Sequence, residues 1–192
     1  MTTNHKTRVA FQGERGAFSE EAALKLLGHD IELVPRKTFD DLYSSFREGV
    51  ADLLLAPIEN SIAGEVKASA DLLRQSELQI IDEVSIPIAQ HLIACPNSDF
   101  SSIEEVQSHP VALAQCAHFF KANPQLKQIV SDDTAGSVAE VLKAGEKHRA
   151  AIAGKRAAQL YGGVIIRENI QDTSDNITRF VLLTNKTKEV ES

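Results

Sequence analysis

The sequence predicts a two-lobed α/β protein, and three observations support this prediction. Strand-like apolar runs alternate with helix-like segments along almost all of the 192 residues, as is typical of parallel strands joined by crossover helices. Two β-rich runs meet directly around Pro87, and the chain returns near residues 162–170, so we expect it to cross twice between lobes. The hydrophobic fraction of 43% is ample for a real core.

The elements of the first half follow from apolar periodicity and from glycine and proline positions. They are a strand over residues 8–12, a helix over 18–27 that Ser19 can cap, a strand over 31–34, a helix over 40–47 that ends at Gly49, a strand over 52–56 broken by Pro57, a helix near 65–74, and a β-rich run over 78–88.

The second half continues the alternation. Its elements are strands over 90–94 and 106–108, a helix over 110–121, a strand over 128–131, a helix over 135–143, a strand over 150–153, a helix over 155–161, and strands over 164–167 and 179–184. We expect residues 1–88 with 168–192 to form lobe 1 and residues 89–167 to form lobe 2. A cleft fringed by strand ends and helix N-termini is a natural site for a small anion.

The charge pattern excludes several classes of partner. The net charge is −7 and there is no basic block, which argues against binding nucleic acid or an anionic membrane. No apolar run approaches the roughly 18–20 residues that cross a bilayer. Residues 1–8 are polar and lack an apolar signal core, so we expect a cytoplasmic protein.

The cysteines do not predict a metal site. Cys95 and Cys116 lie in apolar runs and resemble small core residues, which a reducing compartment would keep as thiols. Together with His91 and His118 they have usable ligand types, but the spacing matches no compact zinc signature. We therefore expect no metal role for these four residues.

The stretch 176–180 is the first candidate for chemistry. It places Asn176, Thr178, Arg179 and Phe180 at the opening of a strand that continues as an apolar run. Polar side chains at the start of a buried strand must find partners or a ligand, because leaving them dry and unpaired is costly.

Two further loops follow predicted strands. The loop 12–19 has two glycines whose backbone can turn tightly and point amides at a carboxylate, although a plain tight turn explains it equally well. Glu59, Asn60 and Ser61 stand in a row at the end of another strand, where Asn60 offers both donors and an acceptor. Capping of a helix by Asn60 or Ser61 is the structural alternative.

Two loops of the second half are polar as well. Ser108 and Pro110 suit a helix start, whereas Gln115 is an amide within an apolar helix face and needs partners. Capping of a helix by Asp133 or Thr134 is the simpler explanation of the second loop, residues 132–136. No Ser-His-Asp or Cys-His pattern is recognisable, so pattern alone indicates a two-lobed binder or enzyme for a small anionic molecule.

Taken together, these motifs resemble the prephenate dehydratase family, including the similar arogenate dehydratases. The matching stretches run in family order and are residues 12–19, 57–64, 108–116, 133–136, 150–158 with 161–162, and 169–180. Ala17 and Val111 stand where many members carry threonine and glutamine. Members usually continue into an ACT domain that binds phenylalanine, whereas here only the polar tail 184–192 remains, so we expect a catalytic unit without built-in phenylalanine control.

The resemblance implies a fold like type II periplasmic binding proteins, with mixed or parallel sheets flanked by helices and the active site in the cleft between lobes. It implies that Thr178 directs its hydroxyl at the departing C4 oxygen of prephenate. Glu59 is its candidate partner in catalysis or a structural hydrogen-bond hub.

The remaining roles are implied by the same resemblance. The residues assigned to substrate binding are Asn60, Ser61, Ser108, Gln115, Arg179 and Phe180, with an internal ion pair as the alternative for Arg179. The family suggests a homodimer. Two other functions stay open: dehydration of arogenate, and non-catalytic binding of a small anion, since two-lobed α/β clefts also serve as solute receptors.

Overall fold

The computed structural model describes residues 6–185. Its elements in chain order are β1 (Thr7–Gln12), α1 (Phe18–Leu27), β2 (Ile31–Arg36), α2 (Phe39–Ser44), β3 (Leu53–Asn60), β4 (Gly64–Glu65), α3 (Lys67–Gln75), β5 (Leu78–Pro87), β6 (His91–Ala94), β7 (Glu105–Ser108), α4 (Pro110–Ala114), α5 (Ala117–Ala122), β8 (Lys127–Val130), α6 (Thr134–Ala144), β9 (Arg149–Ala153), α7 (Lys155–Tyr161), β10 (Val164–Arg167) and β11 (Ile177–Asn185). The predictions on residues 1–5 and 186–192, the start and the polar tail, lie outside the described residues.

The described chain divides into two compact units. Unit 1 holds residues 6–13, 19–86 and 177–185, and unit 2 holds residues 14–18 and 87–176. Residues 168–176, which the sequence grouped with lobe 1, are held in unit 2 by backbone bonds: Ile170 N–H donates to Gln90 O at 2.9 Å, and Ile88 N–H donates to Asn176 O at 2.8 Å.

Unit 1 is built on a mixed sheet with the strand order β2-β1-β3-β11-β5, to which β4 adds by pairing with β3. β1 is parallel to both β2 and β3, and β11 is antiparallel to β3. The three parallel strands β1, β2 and β3 therefore have their carboxyl ends on the same side of the sheet, at Gln12, Arg36 and Asn60. β11 begins on this side. Carboxyl ends of parallel strands are the usual site of ligands in α/β sheets.

Unit 2 is built on a second mixed sheet with the order β10-β6-β9-β7-β8. Strands β7, β8 and β9 are parallel, whereas β6 is antiparallel to β9 and to β10. Alternate residues of β9 enter two apolar clusters, Ala150 and Ile152 one, Ala151 and Ala153 the other. Both faces of this sheet are thus covered, and the predicted α/β class with mixed sheets is confirmed.

Two predicted boundaries are wrong. Pro57 does not end its strand, because β3 continues to Asn60; Pro57 lies opposite Phe180 at an irregularity of the pairing, where a missing N–H is tolerated. The predicted helix over 110–121 is two helices, α4 and α5. Cys116, with φ −115° and ψ 30°, interrupts the helical backbone between them.

The cysteines are core residues, as predicted. Cys95 and Cys116 are both buried thiols without a disulfide, and burial raises the pKa of the Cys116 thiol to about 12. Between residues 6 and 185, no group of three or more histidine, cysteine, aspartate or glutamate side chains is placed to hold a metal ion. Among these same residues, no helix has the length and apolar character that crossing a membrane requires.

Candidate active site

The predicted cluster of unit 1 forms where β3 ends and β11 begins. Thr178 lies opposite Asn60, and Arg179 lies opposite Glu59. The pairing then shifts by one residue, so that Ile58 bulges out of β3. A bulge of this kind bends the strand and re-aims its side chains, and bulges are frequent beside active sites.

Asn60 uses both ends of its side-chain amide. Its Oδ1 accepts from the N–H groups of Ile62 at 3.1 Å and Ala63 at 2.9 Å, which closes the turn after β3. Its Nδ2 donates to Thr178 Oγ1 at 2.9 Å and, more weakly, to Ile177 O at 3.3 Å. Asn60 therefore joins the turn to β11, and the alternative of a helix cap is wrong.

Ser61 holds the first residue of β11. Its N–H donates to Ile177 O at 2.8 Å, and its Oγ accepts from Ile177 N–H at 2.9 Å. Both contacts of Ser61 with Ile177 thus fix the strand that carries Thr178. The predicted substrate contact of Ser61 stays a prediction.

Thr178 is buried, with 8% of its surface exposed. Its hydroxyl oxygen accepts the Asn60 amide, and within residues 6–185 no protein atom accepts the hydroxyl proton. Phe180, two residues further along β11, is 2% exposed and points to the same face of the sheet. The hydroxyl therefore has a proton to donate from a largely buried position at the start of β11.

Arg179 and Glu59 lie on the other face of the sheet. Neighbouring residues of a strand point to opposite sides, so Arg179 points away from the face that carries Thr178. Its guanidinium donates to Glu59 Oε2 at 3.2 Å and to Glu83 Oε2 at 3.1 Å. Glu59, and after it Glu83, raise the pKa of Arg179.

This arrangement bears on two predicted roles. The ion pair that was the alternative for Arg179 is present in the structure. Glu59 contacts Arg179 and does not reach the Thr178 hydroxyl, because the two side chains leave their strands on opposite faces. Participation of Glu59 in catalysis and of Arg179 in substrate binding stay predictions.

Ser108 occupies the end of β7 in unit 2. Its side chain is fully buried, and its Oγ donates to Ile152 O at 2.6 Å. The hydroxyl proton is therefore engaged by the protein, and the lone pairs of Oγ are what a ligand could still use. His109, not Ser108, caps α4, since its Nδ1 accepts from Val111 N–H at 3.2 Å.

Gln115 lies between α4 and α5 and is half-buried. Its carbonyl oxygen accepts from Asp172 N–H at 2.7 Å. Its side-chain amide makes no hydrogen bond with any residue in the range 6–185. The predicted substrate contact of Gln115 stays a prediction.

Asp172 is a residue whose role the sequence did not predict. Its carboxylate accepts from Ala117 N–H at 3.1 Å and His118 N–H at 2.8 Å, the first amides of α5. Its own N–H holds the carbonyl of Gln115. The only signal in the sequence was an acidic residue within the stretch 169–180, and it did not identify the helix that Asp172 caps.

The loop 14–18 of unit 2 has a structural explanation for its glycine. Gly16 has φ +87°, and a Cβ there would lie 3.0 Å from the Cα of Ala157. Tyr161 Oη donates to Arg15 O at 2.8 Å, so the loop packs along α7. These contacts favour the tight turn over an anion-binding loop.

Comparison with known proteins agrees with the predicted family. The model of the family described as prephenate dehydratase matches residues 9–188. A protein of Arabidopsis thaliana named arogenate dehydratase/prephenate dehydratase 2, chloroplastic, is 36% identical over 183 residues, which cover 95% of this chain and 48% of the plant protein.

Two solved structures are similar over nearly the whole chain. The prephenate dehydratase of Arthrobacter aurescens in complex with L-Phe has a TM-score of 0.86 and 30% identity, covering 97% of this chain and 63% of that one. The structure of GqqA, described as a novel type of quorum quenching acylase, has a TM-score of 0.83 and 31% identity, covering 96% and 66%.

The chain spans about half the length of the plant relative, 48%. The family match nevertheless extends over both units and includes every residue of the candidate site. The chain belongs to the prephenate dehydratase family.

Proposed function

We propose that this chain is a lyase that converts prephenate to phenylpyruvate, carbon dioxide and water in phenylalanine biosynthesis. Its membership of the prephenate dehydratase family supports the reaction class. The name of the plant relative contains both arogenate and prephenate, so arogenate, which carries an amine in place of the keto oxygen, is the alternative substrate.

The reaction defines what the protein must supply. The electron pair of the bond between C1 and its carboxylate moves into the ring, and carbon dioxide departs. The pair of the C4–oxygen bond leaves with the oxygen, which takes one proton to become water. Aromatisation of the ring drives the reaction, so the protein must orient the substrate and assist a poor leaving group.

Thr178 is the group that we assign to the leaving oxygen. The observation that carries this assignment is the Asn60 amide at 2.9 Å from Thr178 Oγ1, which leaves the hydroxyl proton to be donated elsewhere. A threonine hydroxyl is too weak an acid to act unaided near neutral pH. Its burial, with 8% exposed, favours a preorganised interaction with charge that develops in the transition state.

The neutral character of the polar groups suits the decarboxylation. Thr178 and Asn60 carry no charge, and neither do Ser108 and Gln115, to which we assign the carboxylates and the pyruvyl oxygen of the substrate. A strong cation at the departing carboxylate would stabilise the ground state and oppose the loss of carbon dioxide. The paired state of Arg179 agrees with this requirement.

In this proposal three residues do not contact the reacting atoms: Phe180, Arg179 and Glu59. Phe180 is 2% exposed, so it shapes the apolar surroundings of Thr178 instead of offering an open ring face. The pair of Arg179 and Glu59 supports the start of β11. No cofactor or metal enters the reaction as we propose it.

The location and assembly of the protein are part of the same proposal. We expect it to act in the cytoplasm and as a homodimer, although the name of the plant relative places that protein in the chloroplast. Light scattering after gel filtration tests the dimer.

The function is tested by supplying the purified chain with prephenate and arogenate side by side. We expect phenylpyruvate from prephenate at a kcat of roughly 1–10³ per second, the ordinary range for enzymes. A higher kcat/KM for arogenate than for prephenate would mean that arogenate is the substrate, while the class of reaction would stay the same. Turnover of neither substrate would overturn the proposed function.

A further inference from the structure

The turn after β3 fixes the orientation of the Asn60 amide. Asn60 Oδ1 faces the N–H groups of Ile62 and Ala63, at 3.1 and 2.9 Å. A backbone N–H can only donate, so the oxygen of the amide must face the turn. Exchanging the oxygen and nitrogen of the side chain would place an NH₂ group against two donors. The Nδ2 of Asn60 therefore faces β11.

The orientation of Asn60 in turn fixes the direction of its bond with Thr178. An amide NH₂ group donates and does not accept, so Thr178 Oγ1 must be the acceptor at 2.9 Å. A hydroxyl that accepts along one direction keeps its proton for another. The Thr178 O–H bond therefore points away from Asn60.

The start of β11 holds this geometry rigidly. Ser61 exchanges two hydrogen bonds with Ile177, at 2.8 and 2.9 Å, immediately before Thr178. Asn60 adds a contact of 3.3 Å to the carbonyl of the same residue. The distance between Asn60 and Thr178 is thus set by backbone pairing as well as by the side chains.

We propose that Asn60 is a positioning residue that sets the polarity of the Thr178 hydroxyl. It directs the O–H toward the ligand, and its donated hydrogen bond stabilises the negative charge that grows on Oγ1 as the proton moves to the leaving oxygen. The donated bond also lowers the basicity of that oxygen. This inference rests on the proposed function, and it replaces a direct contact of Asn60 with the substrate.

The variant Asn60→Asp tests this inference, because it keeps the shape and reverses the bond. One carboxylate oxygen can still accept from the turn. The other can only accept when ionised, so it draws the Thr178 O–H toward itself and removes the donor from the ligand. We expect kcat to fall roughly 100-fold at pH 8, the scale for a lost proton donor, while KM stays within about threefold.

The pH profile of Asn60→Asp distinguishes a reversed hydrogen bond to Thr178 from a general structural defect. A protonated carboxyl group can donate to Thr178 Oγ1 as the amide does. An ordinary aspartate has a pKa of about 3.9, so its protonated fraction reaches about 1% only near pH 6; kcat of Asn60→Asp should stay at its lowered value from pH 8 to about pH 6 and rise several-fold by pH 5. The uncatalysed rate is subtracted at each pH, and the native chain is the control.

A double-mutant cycle with Thr178→Val provides the matched control. Valine has the shape of threonine without the hydroxyl, so Asn60→Asp should lower kcat no further in that background. Additive losses of kcat would overturn the positioning role. A KM that rises tenfold or more with kcat maintained would also overturn it, because Asn60 would then contact the substrate.

A nuclear magnetic resonance measurement decides the hydrogen bond without turnover. The side-chain NH₂ signals of Asn60 are identified by their loss in Asn60→Asp, and they should shift in Thr178→Val. Unchanged signals would overturn the inference. If the native chain converts neither prephenate nor arogenate, the proposed function fails, while shifted signals still support the polarity of the bond.

Discussion

Arg179 and Glu59 lie opposite each other on β11 and β3, and their ion pair occupies the face of the sheet that Thr178 does not. Side chains of adjacent residues thus serve different purposes. The guanidinium joins two carboxylates at the surface, whereas the hydroxyl meets the amide of Asn60 on the other face. Proximity in sequence did not mean proximity in the site.

Glu59→Gln should have little effect on catalysis, because the Glu59 carboxylate contacts Arg179 and not Thr178. We expect kcat within about threefold of the native value and a loss of less than about 1 kcal/mol in the free energy of unfolding, as for exposed ion pairs. Glu83→Gln removes the other carboxylate of Arg179 and is the matched control. A much larger loss of kcat in Glu59→Gln than in Glu83→Gln would show that Glu59 takes part in the reaction.

Asp172→Ala should raise KM, because it removes the carboxylate that caps α5, the helix that begins two residues after Gln115. We expect the free energy of unfolding to fall by about 1 kcal/mol, as for a lost cap, and KM to rise roughly threefold to tenfold with kcat little changed. Urea unfolding and steady-state kinetics measure the two effects.

Thr38→Ala is the control for Asp172→Ala. Thr38 caps α2 in unit 1 by accepting from Asp41 N–H at 3.1 Å, and it is not among the predicted site residues. It should lose similar stability with an unchanged KM. Equal values of KM in Asp172→Ala and the native chain would show that Asp172 serves the fold alone.

Gly16→Ala should destabilise the protein more than Gly28→Ala. Both glycines have positive φ, +87° and +76°, but a Cβ at Gly16 would lie 3.0 Å from the Cα of Ala157, whereas one at Gly28 meets nothing within 4 Å. We expect a loss of about 1 kcal/mol for Gly28→Ala from its backbone conformation. Gly16→Ala should lose at least about 2 kcal/mol, because backbone atoms cannot move aside. Equal midpoints in urea would mean that the loop does not pack on α7 as described.

Much of the fold was predictable, because alternating apolar segments of strand and helix length are a strong local signal. The interruption at Cys116 was not, since the residue that caps α5 is Asp172, which lies 55 positions from Ala117. The break predicted at Pro57 was wrong because an irregularity in the pairing with β11 accommodates a proline.

The sequence motifs predicted candidate residues for the site but not how they are arranged. Motifs identified Asn60 and Thr178, but their hydrogen bond joins residues 118 positions apart and depends on the pairing of β3 with β11. The separation of Thr178 from Arg179 could have been read from the alternation of side chains along a strand. The orientation of the Asn60 amide could not, because the turn amides that fix it belong to the folded structure.

The most direct test of the Thr178 hydroxyl is the turnover of Thr178→Ala beside Thr178→Ser, both checked for native stability. We expect Thr178→Ala to lower kcat by roughly 10²–10⁴ with KM little changed, the result for a group that acts in the transition state. Thr178→Ser keeps the hydroxyl and should retain much more activity. Native turnover in Thr178→Ala would contradict the assignment of this hydroxyl to the leaving oxygen.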